Sequence, residues 1–211
     1  MSKFLAPIHN WLFRKIKISE SLEQRLLDVL SKGDETARAS LGREAVDRFG
    51  EYTGAADLAD QIDLTNIHGW LQDKISRSEK RMAWYISRLA SPEDFARARD
   101  AFYQAGVTEG SALGEAATPE DAFKAHNNCI LEGMPCDHVN QITSQGPSAL
   151  TWENTTDIHL ENILAGGADP EQFHELRRSY VKGLFDEMGY DYSFRSADGN
   201  RLHTIRKNSE N

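Results

Sequence analysis

The chain of 211 residues is 39% hydrophobic and 27% charged, the composition of a globular protein large enough for one sizeable domain. Its formal net charge of −9 argues against nucleic acid as the main partner. No apolar run approaches the ~20 residues that cross a bilayer, and the first residues lack the pattern of a signal peptide. Two cysteines are too few for a disulfide framework, so we expect reduced thiols and a cytoplasmic location.

The first 18 residues combine basic and apolar side chains. They include no acid, and their large apolar residues are Phe4, Leu5, Ile8, Trp11, Leu12, Phe13 and Ile16. Such a segment can contact an anionic membrane, or it can dock on the acidic remainder of its own subunit or of a second copy. Docking is favoured over a membrane partner, because an interfacial helix usually has a longer polar face. A homodimer through this aromatic segment is therefore one prediction.

Helix signals follow one another along the chain. Pro7 begins one helix, and a capping box of Ser21 and Gln24 predicts a second that ends at Gly33. A third helix is predicted over 35–49, and the longest one over 65–90, where apolar residues recur with helical period. Further helices are predicted at three starts in which a capping residue precedes a proline and an acid: Ser91-Pro92-Glu93, Thr118-Pro119-Glu120 and Asp169-Pro170-Glu171.

Two stretches have the pattern of β-strands instead. Residues 139–152 are rich in β-branched and polar side chains, and 190–205 form a candidate hairpin around Asp198-Gly199. The predicted fold class is mainly α, a helical body with a small antiparallel β element near the C-terminus (α+β). We expect a single domain, 1–211, in which a mainly helical body, 1–135, and a small α+β segment, 136–206, share one core.

Both cysteines and two of the seven histidines fall within thirteen residues, in the pattern H-x2-C-x6-C-x-H. His126 and Cys129 lie three residues apart on a predicted helix and therefore share a face. Cys136 and His138 are two residues apart, so they share a face in an extended segment. Cys2His2 is a familiar ligand set for zinc, although each pair here is mixed. The run predicts a zinc or other transition-metal site with His126, Cys129, Cys136 and His138 as ligands.

Thiol chemistry is the alternative use of the same run. Cys136 follows a helix-ending Gly-Met-Pro turn, and an accessible cysteine beside a base can act as a nucleophile on a small molecule. Its general base would be His138 or His159, so the catalytic set of this hypothesis is Cys136, His138 and His159. In a third hypothesis both cysteines are core residues, and the chain is a non-catalytic helical homodimer.

Polar side chains further along the chain could complete a site. Asp157 and His159 could be additional ligands, or they could belong to the start of a helix. Glu171 and His174 have the spacing of a carboxylate-bridged metal pair, but the sequence contains no second such pair.

Arg177 falls inside the apolar stripe of its predicted helix. Packing at the edge of the core is the favoured interpretation, and the alternative is that Arg177 contacts an anionic ligand or cofactor, or a buried carboxylate. Together these patterns predict a ligand- or metal-binding protein, with enzyme activity left open. Its site is expected where the helix ending near Cys129 meets segment 136–159, and its partner is expected to be a small molecule.

Overall fold

The computed structural model describes residues 5–134, 137–197 and 200–208. The helices in these ranges are α1 Pro7–Ser31, α2 Glu35–Phe49, α3 Leu58–Gln61, α4 Ile67–Ile86, α5 Pro92–Leu113, α6 Pro119–Cys129, α7 Leu160–Gly166 and α8 Pro170–Glu187. The strands are β1 Asn140–Gln145, β2 Ala149–Asn154, β3 Tyr190–Ala197 and β4 Asn200–Lys207. The predicted class, mainly α with a small antiparallel β element near the C-terminus, is confirmed.

None of the helices in the described ranges is both long enough and apolar enough to cross a membrane.

The chain divides into two compact units. Unit 1 comprises Met1–Phe95 and His159–Phe173, and unit 2 comprises Ala96–Ile158 and His174–Asn211. Unit 1 is helical and contains α1, α2, α3, α4 and α7. Unit 2 holds the four strands together with α6 and most of α5 and α8. A single domain with a shared core stays a prediction.

One long helix, α1, stands where two helices were predicted over residues 7–33. Ser21 lies inside this helix, and its hydroxyl donates a hydrogen bond to the Ile18 carbonyl oxygen, 2.7 Å away. With 25 residues, α1 is longer than α4, which has 20 and covers most of the predicted longest helix. Leu12 and Ile16 are buried within unit 1, so part of the aromatic N-terminal segment packs in the core of its own unit. The homodimer interface stays a prediction.

A cluster of buried charges joins α1, α4 and the segment after α2 in unit 1. The Arg81 side chain is fully buried, and its guanidinium donates to Glu23 over 2.8 Å and to Glu20 over 3.1 Å. Ser78 also donates to Glu23, and the backbone N–H of Thr53 donates to Glu20. Burial raises the pKa of Glu23 to about 7, against the opposing attraction of Arg81. One arginine therefore serves two carboxylates in this cluster.

The buried Glu23 makes stability depend on pH. Its pKa of about 7 in the folded protein lies above the ordinary value of 4.5, so the folded protein holds this proton more tightly than the unfolded chain. The resulting stabilisation is complete below about pH 4.5 and is lost as the pH rises to 7, by roughly 3 kcal/mol. The Glu23→Gln variant should lack this loss. Urea denaturation of both proteins between pH 4.5 and 8 measures the free energy of unfolding. An equal decrease with pH in the wild type and in the variant would contradict the raised pKa of Glu23.

The sheet of unit 2 has the strand order β1-β2-β4-β3, and neighbouring strands are antiparallel. β1 lies at one edge, and its pairing with β2 shifts register between Ile142 and Ser144. Trp152 of β2 pairs with His203 of β4, which in turn pairs with Phe194 of β3. Because directly opposed side chains lie on the same face of a sheet, these three form a row. Trp152 is buried, so this face is the inner one.

The predicted hairpin corresponds to β3 and β4. Its Asp198-Gly199 turn lies outside the described residues.

Helices α5 and α8 approach each other at glycine residues within unit 2. A Cβ atom added to Gly106 would lie 2.0 Å from the Tyr180 carbonyl oxygen. One added to Gly183 would lie 2.1 Å from the Tyr103 carbonyl oxygen. Both neighbours are backbone atoms, which cannot rotate away as a side chain can. Glycine at these two positions therefore sets the distance between the two helices within unit 2.

Candidate functional site

A cavity of about 40 Å³ lies inside unit 2. One face of α8 contributes to its wall, because His174, Arg177, Arg178 and Val181 follow one another at helical spacing. The end of α6 and the segment after it add His126, Ile130 and Glu132. The strands supply the remaining lining residues, which are Asn140, Trp152, Asn154, Tyr192, Phe194, Arg201 and His203.

A chain of hydrogen bonds runs along the strands at this wall. The His203 Nε2 lies 2.8 Å from the Asn154 Oδ1, and its Nδ1 lies 2.7 Å from the Tyr192 hydroxyl. Burial lowers the pKa of His203 to about 4, so the ring is neutral at pH 7 and carries its single proton on Nε2. The Tyr192 hydroxyl therefore donates to Nδ1. The Asn154 amide donates in turn to Asn140 over 2.6 Å, and Asn140 donates to Asn127 over 3.1 Å.

A second polar group surrounds His174. Its Nε2 lies 2.9 Å from the Asp157 Oδ2, and the Arg201 Nη1 lies 3.0 Å from the same carboxylate oxygen. Burial lowers the pKa of His174, so its imidazole is neutral at pH 7. The Arg201 Nη1 also lies 3.0 Å from the His174 Nε2, so this ring nitrogen faces both a carboxylate, which can only accept, and a guanidinium, which can only donate. Asp157 thus orients both a neutral histidine and an arginine at the wall of the cavity.

The other two arginines of the wall come from α8. Arg177 donates through Nη2 to the Leu131 carbonyl oxygen over 2.9 Å, and it forms an ion pair with Glu132. The guanidinium carbon of Arg178 lies 4.3 Å from the centre of the Phe194 ring, a cation–π contact. The prediction that Arg177 could contact an anionic ligand is untested, but the structure places this residue at the cavity.

The His126 side chain is packed among aromatic rings. It is 4% exposed, and its ring stacks on Phe123 at 6.0 Å and on Phe185 at 5.5 Å between centroids. Cys129, one turn later on α6, is buried, and its Sγ lies 3.6 Å from a carboxylate oxygen of Glu109 on α5. These surroundings are those of packed core residues, although His126 also reaches the cavity wall.

The remaining members of the predicted metal set are His138 and Cys136. His138 is exposed and has a positive φ of 48°, and Cys136 lies outside the described residues. Within the described ranges, no group of three or more His, Cys, Asp and Glu side chains is placed to hold a metal ion. Zinc binding by the four-residue set, and catalysis by Cys136, both depend on Cys136 and stay predictions.

His159 belongs to unit 1 rather than to unit 2. Its side chain is buried, and its Nδ1 lies 2.7 Å from the Glu79 Oε1. The other oxygen of Glu79 accepts a hydrogen bond from Asn162 over 2.7 Å. The proposed role of His159 as a general base for Cys136 stays a prediction.

The sequence patterns do not single out several of the lining residues. His203 and Arg201 are two apart on one strand, and this spacing is a local signal that they share a face. Asn154 and Tyr192 both form hydrogen bonds to His203 on β4. Their place at the cavity therefore becomes visible only once the strands are paired. The spacing of His174 from Glu171 suggested a metal-binding pair, whereas a hydrogen-bond partner of His174 in the structure is Asp157.

No protein-family model matches the chain, and no curated protein matches it. Among solved structures, it resembles the crystal structure of Fe(II) unliganded H-NOX protein from K. algicida. The identity is 9% and the TM-score 0.39, with 90% of this chain and 96% of that chain covered. A mutant of that protein matches with 8% identity, the same TM-score and the same coverage.

Proposed function

We propose that this protein binds a small molecule in the cavity of unit 2. The observation that supports the proposal is the wall of the cavity, which combines polar side chains in fixed positions with aromatic rings. Sites for small molecules are typically concave, with aromatic and apolar walls and a few polar groups that fix the orientation of the ligand.

The polar groups of the wall are held in place by one another. The His203 ring is fixed by hydrogen bonds at both nitrogens, to Asn154 and to Tyr192. Arg201 is fixed by Asp157, which also holds His174. A wall with few mobile side chains loses little conformational entropy when a ligand binds, which favours binding.

Trp152 gives a direct measurement of ligand binding. It lines the cavity, whereas the other tryptophans, Trp11, Trp70 and Trp84, belong to unit 1. In ¹⁵N-labelled protein, we expect small polar and aromatic fragments to shift the indole N–H signal of Trp152 and to leave that of Trp84 unchanged. The measurement is a two-dimensional ¹H–¹⁵N titration with a fragment set that includes acids, amides and alcohols.

A pair of variants tests whether the shift comes from the cavity. Val181→Phe places a larger side chain at the wall and should abolish the shift. Thr204→Phe is the matched control, because Thr204 follows His203 on β4 and lies on the other face of the sheet. If no fragment shifts Trp152, or if both variants respond as the wild type does, the proposed function is wrong.

A further inference from the structure

The outer face of the sheet in unit 2 carries a depression of about 530 Å³. Its floor is formed by residues that alternate along the strands with Trp152 and His203, since successive side chains of a strand face opposite sides of a sheet. The volume lies within the range of about 300–1,000 Å³ that is typical of sites for small molecules. This face is therefore a candidate for a second site in unit 2.

The strand register divides the floor of the depression into three rows. In the middle row, Thr151 on β2, Thr204 on β4 and Ser193 on β3 lie side by side. Arg206 lies in the row on one side, and Arg195 lies in the row on the other side. Because each residue of a strand adds about 3.3 Å, the rows of the two arginines are roughly 13 Å apart, with the hydroxyl row midway between them.

The two arginines are available to a ligand. Both are exposed at the depression, and neither forms an ion pair with another residue in the described part of the chain. Two acids of the same face are Asp191, opposite Arg206, and Glu153 on β2. Neither acid belongs to the described lining of the depression, whereas both arginines do. Each end of the depression therefore presents one guanidinium group, whose N–H donors can bind the oxygens of an anion.

The hydroxyl row between the arginines adds neutral hydrogen bonds. The Thr151 and Thr204 hydroxyl oxygens lie 3.0 Å apart, so one proton lies between them and the other can be donated outward. The exposed Ser193 hydroxyl is next to Thr204 in the same row. Because a hydroxyl group both donates and accepts, this row suits the hydroxyl groups of a ligand.

The depression does not have the surface that single-stranded nucleic acids usually bind. Their bases stack on successive aromatic side chains. Phe194 is the only aromatic residue in the described lining, and its ring already packs against the Arg178 guanidinium. The formal net charge of −9 on the chain also disfavours a long polyanion. A small anionic molecule is therefore the better match for this face.

From the two separated arginines and the hydroxyl row between them, we propose a second binding site, on the outer face of the sheet, for a small polyhydroxyl compound with an anionic group at each end. A sugar bisphosphate has this chemistry. One phosphate binds Arg195, the other binds Arg206, and the hydroxyls of the sugar lie over Thr204. A phosphate ester carries a charge of about −1.5 to −2 at pH 7, which makes each contact charge-assisted. The site does not depend on ligand binding in the inner cavity.

A graded set of ligands tests whether the site has two anion-binding ends. Fructose, fructose 6-phosphate and fructose 1,6-bisphosphate differ in the number of phosphates, and the backbone amide signals of β3 and β4 in ¹⁵N-labelled protein report their binding. We expect the bisphosphate to bind at least about tenfold more tightly than the monophosphate, because its second phosphate contacts an arginine of its own. Fructose should bind most weakly. Equal affinities for the bisphosphate and the monophosphate would overturn the proposal.

Variants of the arginines test the ends separately. Arg195→Gln and Arg206→Gln should each reduce the affinity for the bisphosphate by at least about tenfold, which removes its advantage over the monophosphate. Arg43→Gln is the matched control, because Arg43 is an exposed arginine of α2 in unit 1, and it should leave the affinity unchanged. Equal effects of the Arg43 and Arg206 substitutions would contradict the proposal. Tighter binding of a short single-stranded RNA than of the bisphosphate would contradict it as well.

Two further variants separate this site from the inner cavity. Thr204→Phe fills the middle of the depression and should abolish binding of the bisphosphate, whereas Val181→Phe at the inner cavity should leave it unchanged. These effects are the reverse of those expected for the Trp152 signal. Loss of bisphosphate binding in Val181→Phe alone would place the ligand in the inner cavity and overturn the outer site. Failure of fragments to shift Trp152 bears on the inner cavity only.

Discussion

Replacing Arg81 with methionine is expected to reduce the free energy of unfolding at pH 7.5 by about 3–5 kcal/mol. Methionine fills similar space but removes the donors that serve Glu20 and Glu23. Both carboxylates are buried, so at this pH they would be left without their shared cation. Urea denaturation at pH 7.5 and at pH 5 measures the effect, and the loss should be smaller at pH 5, where protonation of Glu23 removes one of the two charges.

Arg77→Met is the matched control on the same helix. Arg77 pairs with Asp73 at the surface, with more than a third of both side chains exposed, and an exposed pair of this kind contributes less than about 1 kcal/mol. Combining Arg81→Met with Glu23→Gln should cost less than the sum of the two single substitutions, because the glutamine leaves no buried charge to compensate. Equal losses of stability for the Arg81 and Arg77 substitutions, or additive losses in the double variant, would contradict the role of Arg81 as the cation shared by Glu20 and Glu23.

The second large effect is expected at the crossing of α5 and α8. Gly106→Ala would place a methyl group 2.0 Å from the Tyr180 carbonyl oxygen, far inside the distance at which atoms repel. Because both helices must shift to admit it, we expect a loss of at least about 3 kcal/mol. In a thermal melt followed by circular dichroism, this corresponds to a decrease of roughly 10 °C in the melting temperature. Gly183→Ala should behave in the same way, since its methyl group would meet the Tyr103 carbonyl oxygen.

Gly42→Ala separates this steric effect from the general effect of alanine in a helix. Gly42 lies in α2, and the nearest atom to an added Cβ is a Leu27 methyl carbon at 4.0 Å, an ordinary contact. Alanine should therefore stabilise this helix by about 0.5–1 kcal/mol. A destabilisation at Gly42 as large as that at Gly106 would show that the crossing distance is not the cause.

Local sequence signals predicted the helix starts well and the site only in part. Pro92, Pro119 and Pro170 each begin a helix as predicted, because a cap and a proline act within a few residues. The predicted helix start at Ser21 was wrong. The apolar stripe of α1 continues past this residue, and tertiary packing keeps the helix continuous.

The candidate site depends on contacts between distant parts of the chain. Arg177 could be singled out because an arginine inside an apolar stripe is visible in one helix. The bond between His203 and Asn154 spans 49 residues, and that between His174 and Asp157 joins α8 to the segment after β2. Single-sequence patterns carry no information on such pairings, so these side chains could not be grouped before the strands were paired.

The edge strand β1 has a consequence for how the protein behaves at high concentration. Five of its six residues are exposed, and an exposed edge strand can pair with a strand of another molecule and start aggregation. The change of register between Ile142 and Ser144 bends the strand and interrupts its regular row of donors and acceptors. The same irregularity that looks like a flaw in the sheet therefore makes β1 a poorer template for pairing with a strand of another molecule.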